Sequence, residues 1–372
     1  MPARRARASS GLSEVLAAEI AARGPLPVAR FMELALGHPD HGYYRRRDPL
    51  GAAGDFVTAP EISQTFGEIV GLWLAQAWDD LGRPAPVRLV ELGPGRGSLL
   101  ADLLRATAKV PGFGEAVSLH LVESSPCLRG LQAERLQGAE TAWHERFEDV
   151  PRGPLLLVAN EFLDALPVHQ LVRAADGWRE RVIGLSASGA LGWQEADAPA
   201  PLAAQLAADA APGTVAEVSP ARAALARQIG ARIAGAGGVA LLIDYGAWAE
   251  GPTGDTLQAV RGHAACGPLA CPGAADLSAQ VDFRALAVAA AAGGAAVYGP
   301  VPQGTFLRAF GIEPRTLRLL DRAPAERSRA LRAGLFRLTD PSAMGELFKV
   351  LVLARPGAPL PPGFHAPTLT PG

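Results

Sequence analysis

Residues 87–97 read Val-Arg-Leu-Val-Glu-Leu-Gly-Pro-Gly-Arg-Gly, an apolar run that ends in glycines at 93, 95 and 97 and leads into a helical pattern starting at Ser98. The order strand, glycine loop, helix predicts an α/β protein with a ligand site at the carboxyl end of its first strand. Glycine lets such a loop turn tightly and bring its backbone against a ligand. The third glycine falls one residue early for the Gly-x-Gly-x-x-Gly dinucleotide fingerprint. That spacing disfavours a nicotinamide oxidoreductase.

A second apolar run, Leu119-His120-Leu121-Val122, ends in Glu123, 28 residues after Gly95. A minimal unit needs roughly 20, and Pro111-Gly112-Phe113-Gly114 absorbs the difference as a loop. An acid at the end of a second strand accepts hydrogen bonds from both ribose hydroxyls of an adenosyl group. Glu91 precedes the glycines, where a carboxylate suits an ammonium and repels a pyrophosphate. Two flanking acids therefore point to S-adenosylmethionine, which carries a sulfonium and an ammonium.

Strands alternating with helices over the 372 residues predict a mostly parallel sheet covered on both faces, and 49% hydrophobic residues can fill its core. Strands are expected at 87–91, 119–123, 155–159, 238–244 and 347–353, a strand pair at 168–172 and 178–183, and helices at 12–22, 28–36, 61–81 and 221–234. Four segments follow: 1–82, a helical region with a cofactor-covering loop; 83–184, the first part of the core; 185–236, a variable helical insertion; and 237–372, the rest of the core with a substrate-side insertion.

A net charge of −2 provides no global basic field for nucleic acid. Three cysteines without a Cys-x-x-Cys pair argue against a disulfide framework and a cysteine metal site, and for a reducing compartment. The Ala-rich stretch 285–297 is too short and too small for a membrane span. Arg4, Arg5 and Arg7 faintly resemble a transit peptide, but a basic terminus on a bacterial cytoplasmic protein is the expectation, with a mitochondrial location second. Monomer and homodimer stay open.

Polar residues that follow apolar runs mark the carboxyl edge of the sheet. Asn160-Glu161-Phe162-Leu163-Asp164-Ala165-Leu166-Pro167 is the strongest catalytic candidate, with Glu161 and Asp164 three apart in a tight turn or first helical turn. The bland alternative is a helix start capped by Asn160. Gly54-Asp55-Phe56-Val57-Thr58-Ala59-Pro60-Glu61 reads as a lid hinged at Gly54, or as Thr58 capping a helix with Pro60 in its first turn. Asp244-Tyr245-Gly246 ends a later strand, and His263 and Asp282 lie in a polar region, where His263 could act as a base. No Gly-x-Ser-x-Gly elbow or Walker loop is present.

Gly54 to Ser63, Phe66-Gly67-Glu68, Val90 to Gly97, Leu121 to Pro126 and Asn160 to Val168 together resemble the MidA-type family of class I S-adenosylmethionine-dependent methyltransferases. The resemblance continues through Ile243-Asp244-Tyr245-Gly246, His263, Val281-Asp282-Phe283, Gln303 to Leu307 and Phe348-Lys349-Val350, and spans nearly the whole chain in order. Ser98 stands where threonine is expected and Leu163 where phenylalanine is common, both mild changes.

The resemblance implies a Rossmann-like fold with an N-terminal helical segment and an inserted subdomain. It also implies protein arginine methylation, with a respiratory complex I subunit as the family's substrate and S-adenosylhomocysteine as product. The catalytic candidates are then Glu161, Asp164 and His263. Cofactor contacts fall to Gly54, Asp55, Thr58, Pro60, Glu61, Glu91, Gly93, Gly95, Gly97, Glu123, Ser124, Asn160 and Glu161, and substrate contacts to Asp244, Tyr245 and Asp282. No metal is expected. A small-molecule methyltransferase and a non-enzymatic assembly factor with a retained pocket are the rival readings.

Overall fold

A computed structural model describes residues 11–46, 55, 57–248, 251 and 254–371. The chain forms two compact units, each made of three stretches: a core unit of Val57–Asp164, Arg222–Ala249 and Gln280–Gly372, and a second unit of Met1–Phe56, Ala165–Ala221 and Glu250–Ala279.

The core unit is built on a sheet of β1 (Val87–Leu92), β2 (Val117–Val122), β3 (Thr141–His144), β4 (Leu155–Asn160), β5 (Gly238–Ala247), β6 (Ala296–Pro302) and β7 (Phe348–Ala354). Their order is β3-β2-β1-β4-β5-β7-β6. The first five strands are parallel, and β7 runs antiparallel to both β5 and β6. The two-residue strand Val281–Asp282 pairs with the end of β5. Every residue of β4 is buried, as its continuous apolar run requires of a strand covered on both faces. From β1 the chain lays strands outward to β3, then returns to place β4 on the other side of β1. That reversal opens a crevice beyond the carboxyl ends of β1 and β4, where α/β proteins bind ligands.

Helix Gln64–Asp80 buries Phe66, Ile69, Trp73, Leu74 and Trp78 in the core cluster of this sheet. It lies against helix Ser98–Thr107 so closely that a Cβ on Gly71 would come within 2.8 Å of Leu103 Cα. The expected single helix over 61–81 is broken at Ser63, which is extended (φ −157°) and accepts a hydrogen bond from Thr65 N at 3.3 Å. A short helix, Ala59–Ile62, precedes that break. Apolar periodicity continues across the joint, so only the capping residue signals it.

The second unit packs helices Gly11–Arg23, Val28–Gly37 and Tyr43–Arg46 with two antiparallel sheets, around Leu12, Leu16, Phe31, Met32 and Tyr43. One sheet contains Leu26–Pro27, Trp178–Leu185, His169–Arg173, Val215–Val218 and Leu191–Asp197. The other contains Gln258–Arg261, Ala264–Cys266 and Asp276–Ser278.

All four expected segments are therefore divided between the two units. The strand pair expected inside the first part of the core belongs to the second unit, because its members pair with each other and with the strands of the five-stranded sheet and not with any core strand. The N-terminal helices up to Tyr43–Arg46 belong there too, whereas Ala59–Ile62 and Gln64–Asp80 belong to the core unit. Among the described residues no helix is long and apolar enough to cross a membrane.

Candidate active site

The loop after β1 has positive φ at all three glycines: 62° at Gly93, 53° at Gly95 and 75° at Gly97. Side chains rarely tolerate that backbone. At Gly93 space is also lacking, since a Cβ would lie 2.5 Å from the Phe162 ring. Gly97 sits at the N-cap of helix Ser98–Thr107.

Glu91, at the end of β1, is 4% exposed, and its Oε2 has no hydrogen-bond partner. Burial pushes this carboxyl up to about 8. A buried, unpartnered carboxylate oxygen beside a glycine loop is a strong demand for a cation.

Glu123 follows β2, is buried, and accepts from Ser125 N at 2.7 Å and Gln132 Nε2 at 3.4 Å. Burial pushes its carboxyl up, against the pull of the Ser125 N–H. Ser124 beside it is exposed. The reading of the sequence missed Gln132, which is fully buried, donates to Gly95 O at 2.7 Å and accepts from Trp143 Nε1 at 2.9 Å. It joins the glycine loop to the second acid. Its signal was a glutamine four residues after Leu128, on the buried stripe of helix Pro126–Arg135.

Beyond β4 the chain makes a turn and not the helix start that was one alternative for Asn160. Asn160 is buried with an unpartnered Oδ1, and its Nδ2 donates to Glu161 Oε1 at 3.1 Å. Ala59 N donates to the same oxygen at 2.7 Å. Burial pushes the Glu161 carboxyl up to about 7, opposed by the Ala59 N–H and reinforced by the charge of Asp164. Glu161 has φ +50°, a left-handed backbone rare outside glycine, and such strain concentrates at functional sites.

The turn is held by two buried side chains, Asp244, whose carboxyl burial pushes well above the usual carboxylate range, and Arg222. Asp244 Oδ2 accepts from the backbone N–H of Phe162, Leu163 and Asp164 at 3.2, 2.9 and 3.2 Å, while its Oδ1 accepts from Tyr245 N at 2.9 Å. Arg222, which sequence reasoning also missed, donates to the carbonyls of Leu163 (2.7 Å), Asp164 (3.1 Å) and Gln280 (2.7 Å). Asp244 is fully buried, with both oxygens occupied by backbone N–H groups, so it shapes the turn after β4, where substrate contact was expected. Asp282, likewise expected at the substrate, caps helix Phe283–Ala292 by accepting from Arg284 N and Ala285 N, both at 3.0 Å. Tyr245 lies with its ring 5.6 Å from that of Phe348.

Replacing Asp244 with alanine strands four amides in the interior. At about 1–3 kcal/mol for each buried group left unsatisfied, the loss in chemical denaturation is expected to be at least about 3 kcal/mol. Asp244→Asn, which keeps one acceptor, is expected to lose less.

In the segment expected to cover the cofactor, Thr58 precedes helix Ala59–Ile62 without a side-chain cap bond, and Pro60 lies in its first turn. Glu61 accepts from the Ser98 hydroxyl and pairs with Arg96 at 3.6 Å and Arg135 at 3.5 Å. Gly54 lies outside the described residues. Asp55 and His263 belong to the second unit. The buried Asp55 carboxylate accepts from Tyr43 Oη and Gly262 N, both at 2.7 Å, and its carbonyl accepts from His263 N at 3.0 Å. It pins the hairpin turn Gly262-His263, whose φ values of 57° and 60° fit a type I′ hairpin. His263 is exposed at the tip of that turn. Among the described residues no group of three or more His, Cys, Asp or Glu side chains is placed to hold a metal.

The strand order with its reversed seventh strand, the glycine loop and the two acids define a Rossmann-like, S-adenosylmethionine-dependent methyltransferase. Residues 69–301 match the family described as "Putative S-adenosyl-L-methionine-dependent methyltransferase". The chain is 39% identical to the mitochondrial protein arginine methyltransferase NDUFAF7 homolog of Drosophila melanogaster, covering 95% of this chain and 87% of that one. It is 37% identical to the mitochondrial protein arginine methyltransferase NDUFAF7 of Homo sapiens, covering 90% and 81%. A Burkholderia thailandensis crystal structure with S-adenosyl-homocysteine bound superposes with a TM-score of 0.84 at 32% identity, over 99% of this chain and 100% of that chain.

The chain belongs to this methyltransferase family, the MidA type, and S-adenosylmethionine is its cofactor. The expected cytoplasmic location is overturned, because these curated relatives are named mitochondrial. Arginine-rich composition and free cysteines could not separate the two compartments, since both are reducing inside.

Proposed function

We propose that this chain methylates an arginine side chain of a protein substrate, a subunit of a respiratory complex of the complex I type. The observation that carries the reading is Glu161, a strained, part-buried carboxyl just past β4 held by Ala59 N–H, with Asp164 three residues on. The names of the relatives support it, each being called a protein arginine methyltransferase.

Bound S-adenosylmethionine supplies an electrophilic methyl group on a sulfonium. Glu91 receives the ammonium of the cofactor's methionine part, Gly93, Gly95 and Gly97 present backbone, Glu123 with Ser124 holds the ribose, and Asn160 turns its unpartnered Oδ1 to the ligand. Thr58, Pro60 and Glu61 form the covering segment. Glu161 and Asp164 fork the planar guanidinium, orient one nitrogen, and raise its electron density. Glu161, at about 7, is also matched to take up the proton that this nitrogen loses. Asp244 and Arg222 keep the two carboxylates in register.

The test incubates the full chain and isotope-labelled cofactor with lysate of a strain lacking the protein, followed by mass spectrometry. Methylarginine in a protein is the expected product. Label in a soluble metabolite instead would identify a small-molecule enzyme. Rescue of complex assembly by Glu161→Gln, without any label transfer, would identify a non-enzymatic assembly factor.

A further inference from the structure

Helices Ile312–Leu320 and Ala325–Thr339 of the core unit adjoin a cavity of about 440 Å³ lined by Arg315, Arg318, Leu319, Asp321, Arg322 and Arg327, among others. Four guanidinium groups thus share one concavity with one carboxylate, in a chain whose net charge is −2. Arg315 pairs with the buried Glu68 at 2.8 and 3.1 Å and shares that carboxylate with Arg105. Among the described residues the Arg327 guanidinium reaches only the uncharged Gln64 Oε1, at 3.1 Å. Arg318 and Arg322 are exposed, and their guanidinium groups have no ion pair or hydrogen bond among the described residues.

Arg318 lies in the last turn of its helix, where a cation complements the dipole. Arg327 lies in the first turn of the next helix, where a cation is disfavoured. The dipoles therefore account for part of the cluster and oppose the rest. A concave wall of like charge focuses its field on an anion. Leu319 gives the same cavity an apolar side, which an inorganic phosphate would not use and a polypeptide would.

Helix Ala325–Thr339 also braces the covering segment. Arg337 donates to Val57 O at 3.3 Å, and Gly334 lies so close to Ile62 that a Cβ would come 3.3 Å from its carbonyl. Between those two points stands Ala59, whose N–H holds Glu161. The basic basin and the reactive turn are thus linked through one helix.

We propose that this basin binds an acidic, leucine-containing segment of the methyl-accepting protein, separate from the arginine that reacts. The assignment of the segment to the acceptor rests on the protein-methylation reading above, but the basin's preference for acidic polypeptide does not. A substrate carrying acids at one point and a reactive arginine at another would be oriented by opposite charges at two places on the core unit.

The test is fluorescence anisotropy with a labelled peptide rich in glutamate and leucine, added to the full chain. The double variant Arg318→Ala/Arg322→Ala is expected to bind it about tenfold more weakly, as two exposed charge pairs allow. The control Arg284→Ala/Arg329→Ala is expected to bind like the unaltered chain, and heat of S-adenosylhomocysteine binding reports that every variant is folded. Equal peptide affinity in the folded double variant overturns the proposal, as does tighter binding of inorganic pyrophosphate or a single-stranded oligonucleotide to the basin. Peptide binding that depends on Arg318 and Arg322 supports the basin even if no methylarginine is found, and that second result would count against the methylation reading alone.

Discussion

Glu91→Gln is expected to weaken S-adenosylmethionine binding by about a hundredfold or more, the cost of deleting one member of a desolvated charge pair. The same substitution is expected to raise the melting temperature of the ligand-free protein at about pH 8. Both follow from a carboxyl that burial pushes up to about 8, with one oxygen unpartnered. Between the ordinary carboxylate range and about 8 the unfolded chain has released this proton while the folded chain keeps it. The unfolded state then binds fewer protons, so stability falls as pH rises through that window. An uncharged glutamine removes the penalty and also the cofactor's anchor. Calorimetry checks the first effect and a thermal melt the second. Unchanged affinity in the variant would remove Glu91 from the site. A lowered melting temperature at that pH would mean that a folded-state partner already satisfies the carboxylate.

Ligand binding should also release a proton near neutral pH, because the cofactor's ammonium draws the Glu91 carboxyl back toward its ordinary range. The observed heat is then expected to vary with the ionisation enthalpy of the buffer.

Glu161→Gln is expected to lower the rate of methyl transfer by about a thousandfold, within the range for a combined orienting and proton-accepting group. Cofactor affinity should stay nearly constant, since the glutamine carbonyl still accepts from Ala59 N–H and the turn keeps its clamp on Asp244 and Arg222. In the unaltered chain, kcat/KM is expected to rise with pH through about 7, where the carboxyl ionises, and to be about tenfold lower one unit below. That slope should vanish in the glutamine variant. Retention of both rate and slope would assign the reaction to other groups.

Five of the seven strands of the core sheet were legible because each is a short apolar run bounded by loop residues, as a strand covered on both faces must read, whereas Thr141–His144 and Ala296–Pro302 at the two edges are only partly buried and carry no such run. The glycine loop was legible for a different reason. Positive φ at Gly93, Gly95 and Gly97 restricts the residue type itself, so the backbone conformation leaves a trace in the letters. The break at Ser63 and the division of the chain into two interleaved units left no comparable trace. Apolar periodicity specifies that a face is buried and says nothing about which neighbour buries it.

The acids show the same boundary. Glu91, Glu123, Asp244 and Asp282 each follow an apolar run or open a helix, and in the sequence all four are equivalent candidates for ligand contact. The fold separates them: Asp244 meets four amides and Asp282 two, whereas Glu91 keeps an oxygen without a donor. Gln132 and Arg222 reach Gly95, Leu163 and Asp164 from helices 37 to 59 residues away, through bonds to backbone carbonyls, which every residue possesses. Which elements form and which backbone turns need glycine are local matters of sterics and hydrophobic pattern, written into the order of residues. Which carboxylate stays hungry for a cation depends on hydrogen-bond donors brought from distant parts of the chain, and those arrive only when the layers pack.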